Sequence, residues 1–294
     1  MALLTTYLRD RAKQVDKALD GFLPRATAKP ATIHKAMRYS LFAGGKRLRP
    51  ILALATAEAC GGALEKALPA ACAVECIHTY SLVHDDLPCM DDDDLRRGRP
   101  TSHKVFGEGI AVLAGDALLT VAFEILAAAE TTSRYNTAAL IRELAEASGS
   151  RWLIAGQVLD LESEGKPIER EQLKFIHRAK TAALLTSSIR LGAMSANATD
   201  AQLEKLTAFG QSLGLAFQII DDILDVTQTT EKLGKTAGKD VQAIKATYPA
   251  ICGLEPSRKE AHRLTRLAMA ALEPFGEKAG MLHALADHLL AREY

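Results

Sequence analysis

The 294-residue sequence has few of the features that mark a secreted protein, a zinc-binding domain or a nucleic-acid-binding protein. Its five cysteines form no Cys-x-x-Cys pair, and no histidine pair follows at zinc-finger spacing. Basic and acidic residues number 36 each, which argues against a basic nucleic-acid surface. The N-terminal stretch lacks the apolar core of a signal peptide. We therefore expect reduced thiols, no nucleic-acid partner and a cytoplasmic location.

Long uninterrupted apolar runs and strand-like alternation are also missing. The longest apolar stretch, IAVLAGDALLTVAFEILAAA, contains Asp116 and Glu124, so it predicts a buried helix and no membrane span. Apolar residues recur at helical spacing, and no proline- or serine-rich linker divides the chain. The sequence predicts an all-α single domain over 1–294, with helices near 2–20, 31–43, 50–61, 67–86, 105–130, 134–160, 169–193, 200–226 and 255–292.

Two apolar helical segments each contain a cluster of aspartates. In LVHDDLPCMDDDDLRRGRP, Asp85 and Asp86 end a helix and Asp91 returns after a proline-containing turn. In FQIIDDILD, Asp221 and Asp225 lie one turn apart on one helix face. A helix cap or a solvated face would explain either motif alone. Two such clusters facing each other predict a site for Mg²⁺, which prefers carboxylates plus substrate phosphates.

Basic residues accompany both clusters. A double-glycine turn precedes three of them, and glycine lets the backbone approach an anion closely. Any one of these side chains could be an ordinary surface charge. Together they predict two polyphosphate ligands, held by Lys46, Arg47, Arg49, Arg96, Arg97, Lys235, Lys239 and Lys245.

These residues resemble a known family. The segments GGKRLRP, LVHDDLPCMDDDDLRRGRPTSHKVFGE, AGDALL, GQVLDL, KTAALL, FQIIDDILD and GKTAGKD span roughly residues 40–250 and are similar to trans-isoprenyl diphosphate synthases, closest to bacterial farnesyl diphosphate synthases. The resemblance implies a helical bundle with a central cavity, three Mg²⁺ ions and a homodimer. It also implies condensation of isopentenyl diphosphate with dimethylallyl or geranyl diphosphate, giving (2E,6E)-farnesyl diphosphate plus diphosphate.

The resemblance further assigns residue roles. The metal ligands would be Asp85, Asp91 and Asp221, with Asp225 acting through water and Asp86 in support. The catalytic group would be Arg96, Lys180, Thr181, Gln218 and Lys235, of which Arg96, Lys180 and Lys235 hold the allylic diphosphate. Isopentenyl diphosphate would be held by Gly45, Lys46, Arg49, His78 and Arg97, and Lys245 is a further substrate-binding candidate. Without the resemblance, His78 would be read as a core histidine; His84 and His103 are read as structural.

Product length is expected to depend on Tyr80 and Ser81, which lie about one helical turn before Asp85. A bulky Tyr80 would close the cavity at a C15 product, and a plain core aromatic is the competing interpretation. A geranylgeranyl diphosphate synthase is the main alternative. A class I terpene cyclase and a non-catalytic synthase subunit are the other rivals; both complete aspartate motifs and the second basic group argue against them.

Overall fold

The computed structural model describes residues 2–227 and 247–290, and within these ranges it is almost entirely helical. The first half contains α1 Ala2–Phe22, α2 Ala31–Leu41, α3 Leu48–Ala59, α4 Leu64–Asp85, the short strands β1 Leu95–Arg96 and β2 Arg99–Pro100, α5 Ser102–Phe106, α6 Glu108–Ala127 and α7 Thr137–Ser148. The second half contains α8 Leu153–Ser163, α9 Arg170–His177, a π-helical turn Arg178–Ala182, α10 Ala183–Ser195, α11 Asp200–Thr227, α12 Tyr248–Cys252, α13 Leu254–Leu272, a 3₁₀ segment Glu273–Ala279 and α14 Gly280–Leu290.

Three long predicted helices are interrupted in the structure. The one expected over 134–160 breaks between α7 and α8, where Trp152 leaves helical geometry at φ −130° and ψ −99°. The one expected over 169–193 widens into the π-helical turn. The one expected over 255–292 is kinked at Gly276, at φ 55° and ψ −138°. Apolar periodicity continues across each break because both sides face the same core.

The core consists of two apolar clusters that meet along α10. One surrounds α4 and α6 and includes Leu118 and Leu126. The other surrounds α11 and α13 and includes Phe209 and Leu272. Helix α10 packs against α3, α4 and α11 and so joins the two clusters. The all-α prediction is confirmed, while the single-domain extent stays a prediction.

Helix α6 is long and apolar enough to cross a membrane by length and composition alone. In the fold, its residues Ala111, Ala114, Leu118 and Ala122 are buried in the first core cluster. Core helices of soluble bundles share this composition. The burial therefore supports the prediction of a core helix over a span.

All five cysteines are free thiols. Cys72 and Cys76 are fully buried, and burial raises the pKa of both, so they behave as small apolar residues. Cys89 is exposed in the turn that follows α4, among the aspartates of the first motif.

Candidate functional site

The first aspartate motif folds back on the end of α4. The helix ends at Asp85, and the Asp91 N–H donates to the Asp85 carbonyl at 2.9 Å, so the turn returns Asp91 to the helix end. Asp86 is only 4% exposed and accepts a hydrogen bond from Arg96 Nε at 2.9 Å. Burial raises the pKa of Asp86, and Arg96 opposes that rise. Asp86 is thus held by protein, as its predicted supporting role requires.

Helix α8 supplies two polar contacts to this cluster. Gln157 Nε2 donates to Asp85 Oδ1 at 2.6 Å. Lys180 Nζ donates to Asp160 Oδ2 at 2.6 Å and lies 4.0 Å from Asp85 Oδ2. Gln157 and Asp160 had no predicted role. The signal was present in GQVLDL, where two polar residues three apart share one face of an apolar helix.

The π-helical turn joins the two aspartate motifs. Lys180 reaches the first motif, while its neighbour Thr181 donates through Oγ1 to Gln218 Oε1 at 2.9 Å on α11. Two glycines let the turn pack closely between its neighbours: a Cβ on Gly156 would overlap the Lys180 backbone, and one on Gly214 would lie 2.6 Å from Ala182 Cα. Single π turns inside helices often mark functional sites. Both motifs therefore border the same turn.

The second motif lies near the end of α11. Asp221 and Asp225 are both half-buried on this helix, as predicted. The acid between them, Asp222, is 6% exposed and accepts from Gln218 Nε2 at 3.2 Å and from the Tyr248 N–H at 2.8 Å. Asp222 thus ties α11 to the start of α12. Neither that residue nor Tyr248 was singled out from the sequence.

The predicted isopentenyl diphosphate site is a cluster of positive charge beside α4. Gly45 has φ +119°, and a Cβ there would lie 2.5 Å from the Arg97 guanidinium, which donates to the Gly44 carbonyl. Burial lowers the pKa of His78 well below its usual range, and Arg49 and Arg97 lower it further. Arg49 and Arg97 therefore place positive charge beside a neutral His78, and guanidinium groups of this kind bind anionic oxygens well. Lys46 is exposed at the edge of the cluster.

A buried ion pair anchors the glycine turn. Arg47 has φ +49° and is 3% exposed. It donates to Glu75 Oε1 at 2.7 Å, to Asp16 Oδ1 at 2.9 Å and to the Leu41 carbonyl at 2.6 Å. Arg47 was predicted as a phosphate ligand in the basic group. In the structure its guanidinium instead donates to acceptors within the protein, and these hydrogen bonds fix the backbone of the turn.

The remaining predicted residues of this region lie on or near α4. Tyr80 is 6% exposed in the first core cluster, and its ring meets the ring of His84 edge-on at 5.8 Å. Ser81 Oγ donates to the His78 carbonyl at 2.9 Å. His84 Nε2 lies 2.9 Å from the Val112 carbonyl, which fits its structural assignment. Lys235 and Lys245, together with Lys239, lie outside the described residues.

The donor set fits a hard divalent cation. Asp85 lies 4.0 Å from Lys180 of the π turn, Asp91 is returned to the end of α4 beside it, and Asp221 and Asp225 lie four residues apart on α11. Oxygen ligands of this kind are what Mg²⁺ prefers. Another possible metal group was not predicted: one ligand atom each from Asp92, Asp94 and His103 lie within 4.8 Å of one another. Lys104 Nζ already contacts Asp94 Oδ1 at 2.7 Å.

Cavity volume does not mark this site. A cavity of about 600 Å³ lies behind the π-helical turn, between α7, α10 and α11, and Trp152, Arg178 and Arg190 help to line it. None of the predicted site residues lines it. The site is identified by its clustered charges and not by its size.

Comparison with known proteins agrees with this geometry. The family model for polyprenyl synthetase matches residues 30–284. The chain is 52% identical, over 98% of its length and 79% of the relative's, to the heterodimeric geranylgeranyl pyrophosphate synthase large subunit 1 of Arabidopsis thaliana. Two crystal structures are similar: a putative farnesyl-diphosphate synthase from Marinomonas sp. MED121 (TM-score 0.84, 40% identity, 98% of both chains) and an FPP/GFPP synthase from Zymomonas mobilis (TM-score 0.85, 38% identity, 99% and 100%).

The family match covers most of the chain and includes every described residue of both aspartate motifs. The crystal structures extend the likeness over nearly the whole chain at the level of the fold. The chain therefore belongs to the polyprenyl synthetase family, as the resemblance of its motifs predicted.

Proposed function

We propose that this protein condenses isopentenyl diphosphate with a short allylic diphosphate, dimethylallyl or geranyl, in a site between its two aspartate motifs. The observation that carries the proposal is the π-helical turn: Lys180 lies 4.0 Å from Asp85, and its neighbour Thr181 bonds to Gln218, three residues before Asp221. A separate cationic cluster beside α4 supplies a second anion site. Two diphosphates can therefore be held at once.

The proposed reaction breaks one C–O bond and forms one C–C bond. The allylic C–O electron pair leaves with diphosphate, the isopentenyl double bond attacks the allylic cation, and loss of one proton restores an alkene. Lys180 and Arg96 place positive charge where the leaving group develops negative charge. Bound Mg²⁺, held by Asp85, Asp91 and Asp221, would add charge at the same position. The apolar residues before each motif keep water from the cation.

A direct assay tests the proposal. The purified protein is incubated with Mg²⁺, isopentenyl diphosphate and geranyl diphosphate, and the product alcohols are sized after dephosphorylation. We expect a prenyl alcohol at least one C5 unit longer than geraniol. Cyclic hydrocarbon formed from farnesyl diphosphate alone would indicate a cyclase, and activity only after adding a partner subunit would indicate a non-catalytic chain.

For the product we propose farnesyl diphosphate, supported by Tyr80. Its bulky, buried ring lies five residues before Asp85, along the helix that a growing chain would follow. Geranylgeranyl diphosphate is the second candidate, since the Arabidopsis relative is named for that product. Tyr80→Ala should lengthen the product to C20 or more, whereas the control Tyr80→Phe should keep the wild-type length. An unchanged product in Tyr80→Ala would place the limit elsewhere.

We also propose a homodimer. Helix α6 exposes Val112 and Leu113, and helix α8 exposes Ile154 and Val158, each by about two-fifths to one-half. Exposed apolar side chains grouped on particular helices are typical of interaction surfaces. The similar heterodimeric subunit makes a different partner the competing assembly. Light scattering of wild type and Leu113→Glu tests this: the dimer should dissociate in the variant. A cytoplasmic location stays a prediction.

A further inference from the structure

His177 is a buried histidine that the proposed chemistry leaves without a role. It ends α9, three residues before Lys180, and is 5% exposed. Its Nε2 lies 3.3 Å from Asp222 Oδ2, and its ring stacks on Tyr248 with centroids 6.3 Å apart and planes 26° apart. The imidazole therefore contacts the buried middle acid of the second motif while remaining outside the carboxylate cluster.

Two donors that contact Asp222 orient this network. An ionised carboxylate can only accept hydrogen bonds. Asp222 Oδ1 accepts from Gln218 Nε2, and Asp222 Oδ2 accepts from the Tyr248 N–H. His177 Nε2 lies 3.3 Å from the same Oδ2, so a ring that is protonated at Nε2 is placed to donate to it. Burial lowers the pKa of His177 to about 4, so the ring is neutral and its Nδ1, which has no hydrogen-bond partner among the described residues, keeps a lone pair.

The same count extends to the reacting centre. Because Gln218 Nε2 faces Asp222, its Oε1 faces Thr181 and accepts the hydroxyl hydrogen at 2.9 Å. The Thr181 oxygen is then left with lone pairs for a ligand bound between the two motifs. If Asp222 turned away, the Gln218 amide could flip and present a donor to Thr181. Whether the Thr181 hydroxyl donates or accepts thus depends on the buried carboxylate of Asp222, which acts through Gln218.

We propose that His177 is a positioning residue, which holds Asp222 so that Gln218 keeps the Thr181 hydroxyl turned away from the reacting carbon. This inference rests on the proposed prenyl transfer. His177 itself touches no reacting atom. It acts through the sequence of contacts His177–Asp222–Gln218–Thr181, whose members come from α9, α11 and the π-helical turn.

A double-mutant cycle tests this sequence of contacts. His177→Leu removes the donor and should lower kcat by about 10- to 100-fold, since small misplacements at a reacting centre cost that much. The KM for isopentenyl diphosphate should hardly change, because none of the residues in its cationic cluster belongs to this sequence of contacts. His177→Gln can donate through Nε2 and should restore most of the rate. In a Thr181→Val background, His177→Leu should cost no more than about 2-fold, because the group it orients is gone.

A substitution of Arg170 is the control for this cycle. Arg170 contacts the outer side of Tyr248, through Nε to the hydroxyl at 3.2 Å, and Arg170→Gln should leave kcat unchanged. Equal rate losses from His177→Leu in both backgrounds would overturn the inference, as would failure of His177→Gln to restore the rate while its thermal stability matches wild type. If instead wild type and Thr181→Val both lack prenyl transfer, the proposed function itself has failed.

Discussion

At the first aspartate motif the middle acid, Asp86, is buried beside the guanidinium of Arg96, whereas at the second motif the middle acid, Asp222, is buried and accepts hydrogen bonds from the Gln218 amide and the Tyr248 N–H. The acids that precede them, Asp85 and Asp221, are half-buried, and Asp85 lies 4.0 Å from Lys180 of the π-helical turn. Both motifs thus divide their carboxylates in the same way, one half-buried and one fully buried against protein, but they hold the second with different chemistry.

This difference follows the surroundings of each motif. The first lies beside Arg96 and Arg97, where charge is abundant and partly solvated. The second lies under α12, where Tyr248 is 1% exposed and backbone N–H groups must find acceptors. We infer that the first motif is organised by electrostatics and the second by hydrogen-bond geometry. Four predictions test that division, in order of expected effect.

The largest effect is expected at the site-facing acids. Asp85→Asn and Asp221→Asn should each lower kcat by about 100- to 1,000-fold, because each removes negative charge from the predicted metal site. Thermal unfolding should change little, since both side chains are half-buried. Steady-state kinetics and calorimetry measure the two quantities. If either variant kept the wild-type kcat, the acid that it replaces would not belong to the metal site.

The middle acids should affect stability, and unequally. Asp222→Asn replaces an acceptor of several hydrogen bonds with a group that can satisfy fewer of them, which should cost about 1–3 kcal/mol of unfolding free energy. Asp86→Asn should cost less, because the Arg96 side chain is 33% exposed and water can solvate it. Urea denaturation of both variants gives the comparison. An equal or reversed order would contradict the division between the motifs.

The glycine turn offers a matched pair in the charged region. Gly45→Ala should raise the KM for isopentenyl diphosphate by about 10-fold. The added Cβ would lie 2.5 Å from the Arg97 guanidinium, so the guanidinium would have to move. Gly44→Ala is the control: its φ of +88° imposes similar backbone strain, but nothing lies within 4 Å of the added Cβ. Similar KM values in the two variants would mean that strain, and not Arg97, is responsible.

The smallest effect is a pH dependence of stability, which arises from His177 beside the second motif. Burial lowers the pKa of His177 from 6.5 to about 4, so below pH 6.5 the unfolded chain binds a proton that the folded chain does not. This group should therefore cost about 1–2 kcal/mol of stability between pH 7 and pH 5. His177→Gln should show a correspondingly shallower loss over that range. Parallel stability curves for the two proteins would mean that His177 titrates normally in the fold.

Much of the fold could be predicted from residue spacing. The apolar period of 3.6 residues predicts the helices, and the C-terminal end of α4 and the start of α11 fall within one residue of their predicted positions. The π-helical turn and the break before Trp152 could not be predicted, because apolar spacing is continuous through both. Periodicity reports which face is buried and carries little information on local hydrogen-bond register.

The site was predictable where chemistry is concentrated in short motifs. The two aspartate clusters stand out in the sequence itself, and the resemblance adds Lys180, Thr181 and Gln218. The structure places Lys180 near Asp85 and Thr181 against Gln218 around the π turn. Arg47 was misassigned because sequence cannot distinguish an arginine that faces a ligand from one that anchors a turn. His177 and Asp222 were missed because their contact depends on how α9 and α11 pack.

The central claim is that both aspartate motifs bind the same allylic diphosphate with magnesium. Titration calorimetry with a non-ionisable thio analogue of geranyl diphosphate, with and without Mg²⁺, measures this in wild type, Asp85→Asn, Asp221→Asn and the double variant. We expect binding that requires Mg²⁺, is weakened by each single change, and is weakened in the double variant by less than the sum of the two free-energy losses. Wild-type binding in Asp221→Asn, or tight binding without Mg²⁺, would contradict the claim.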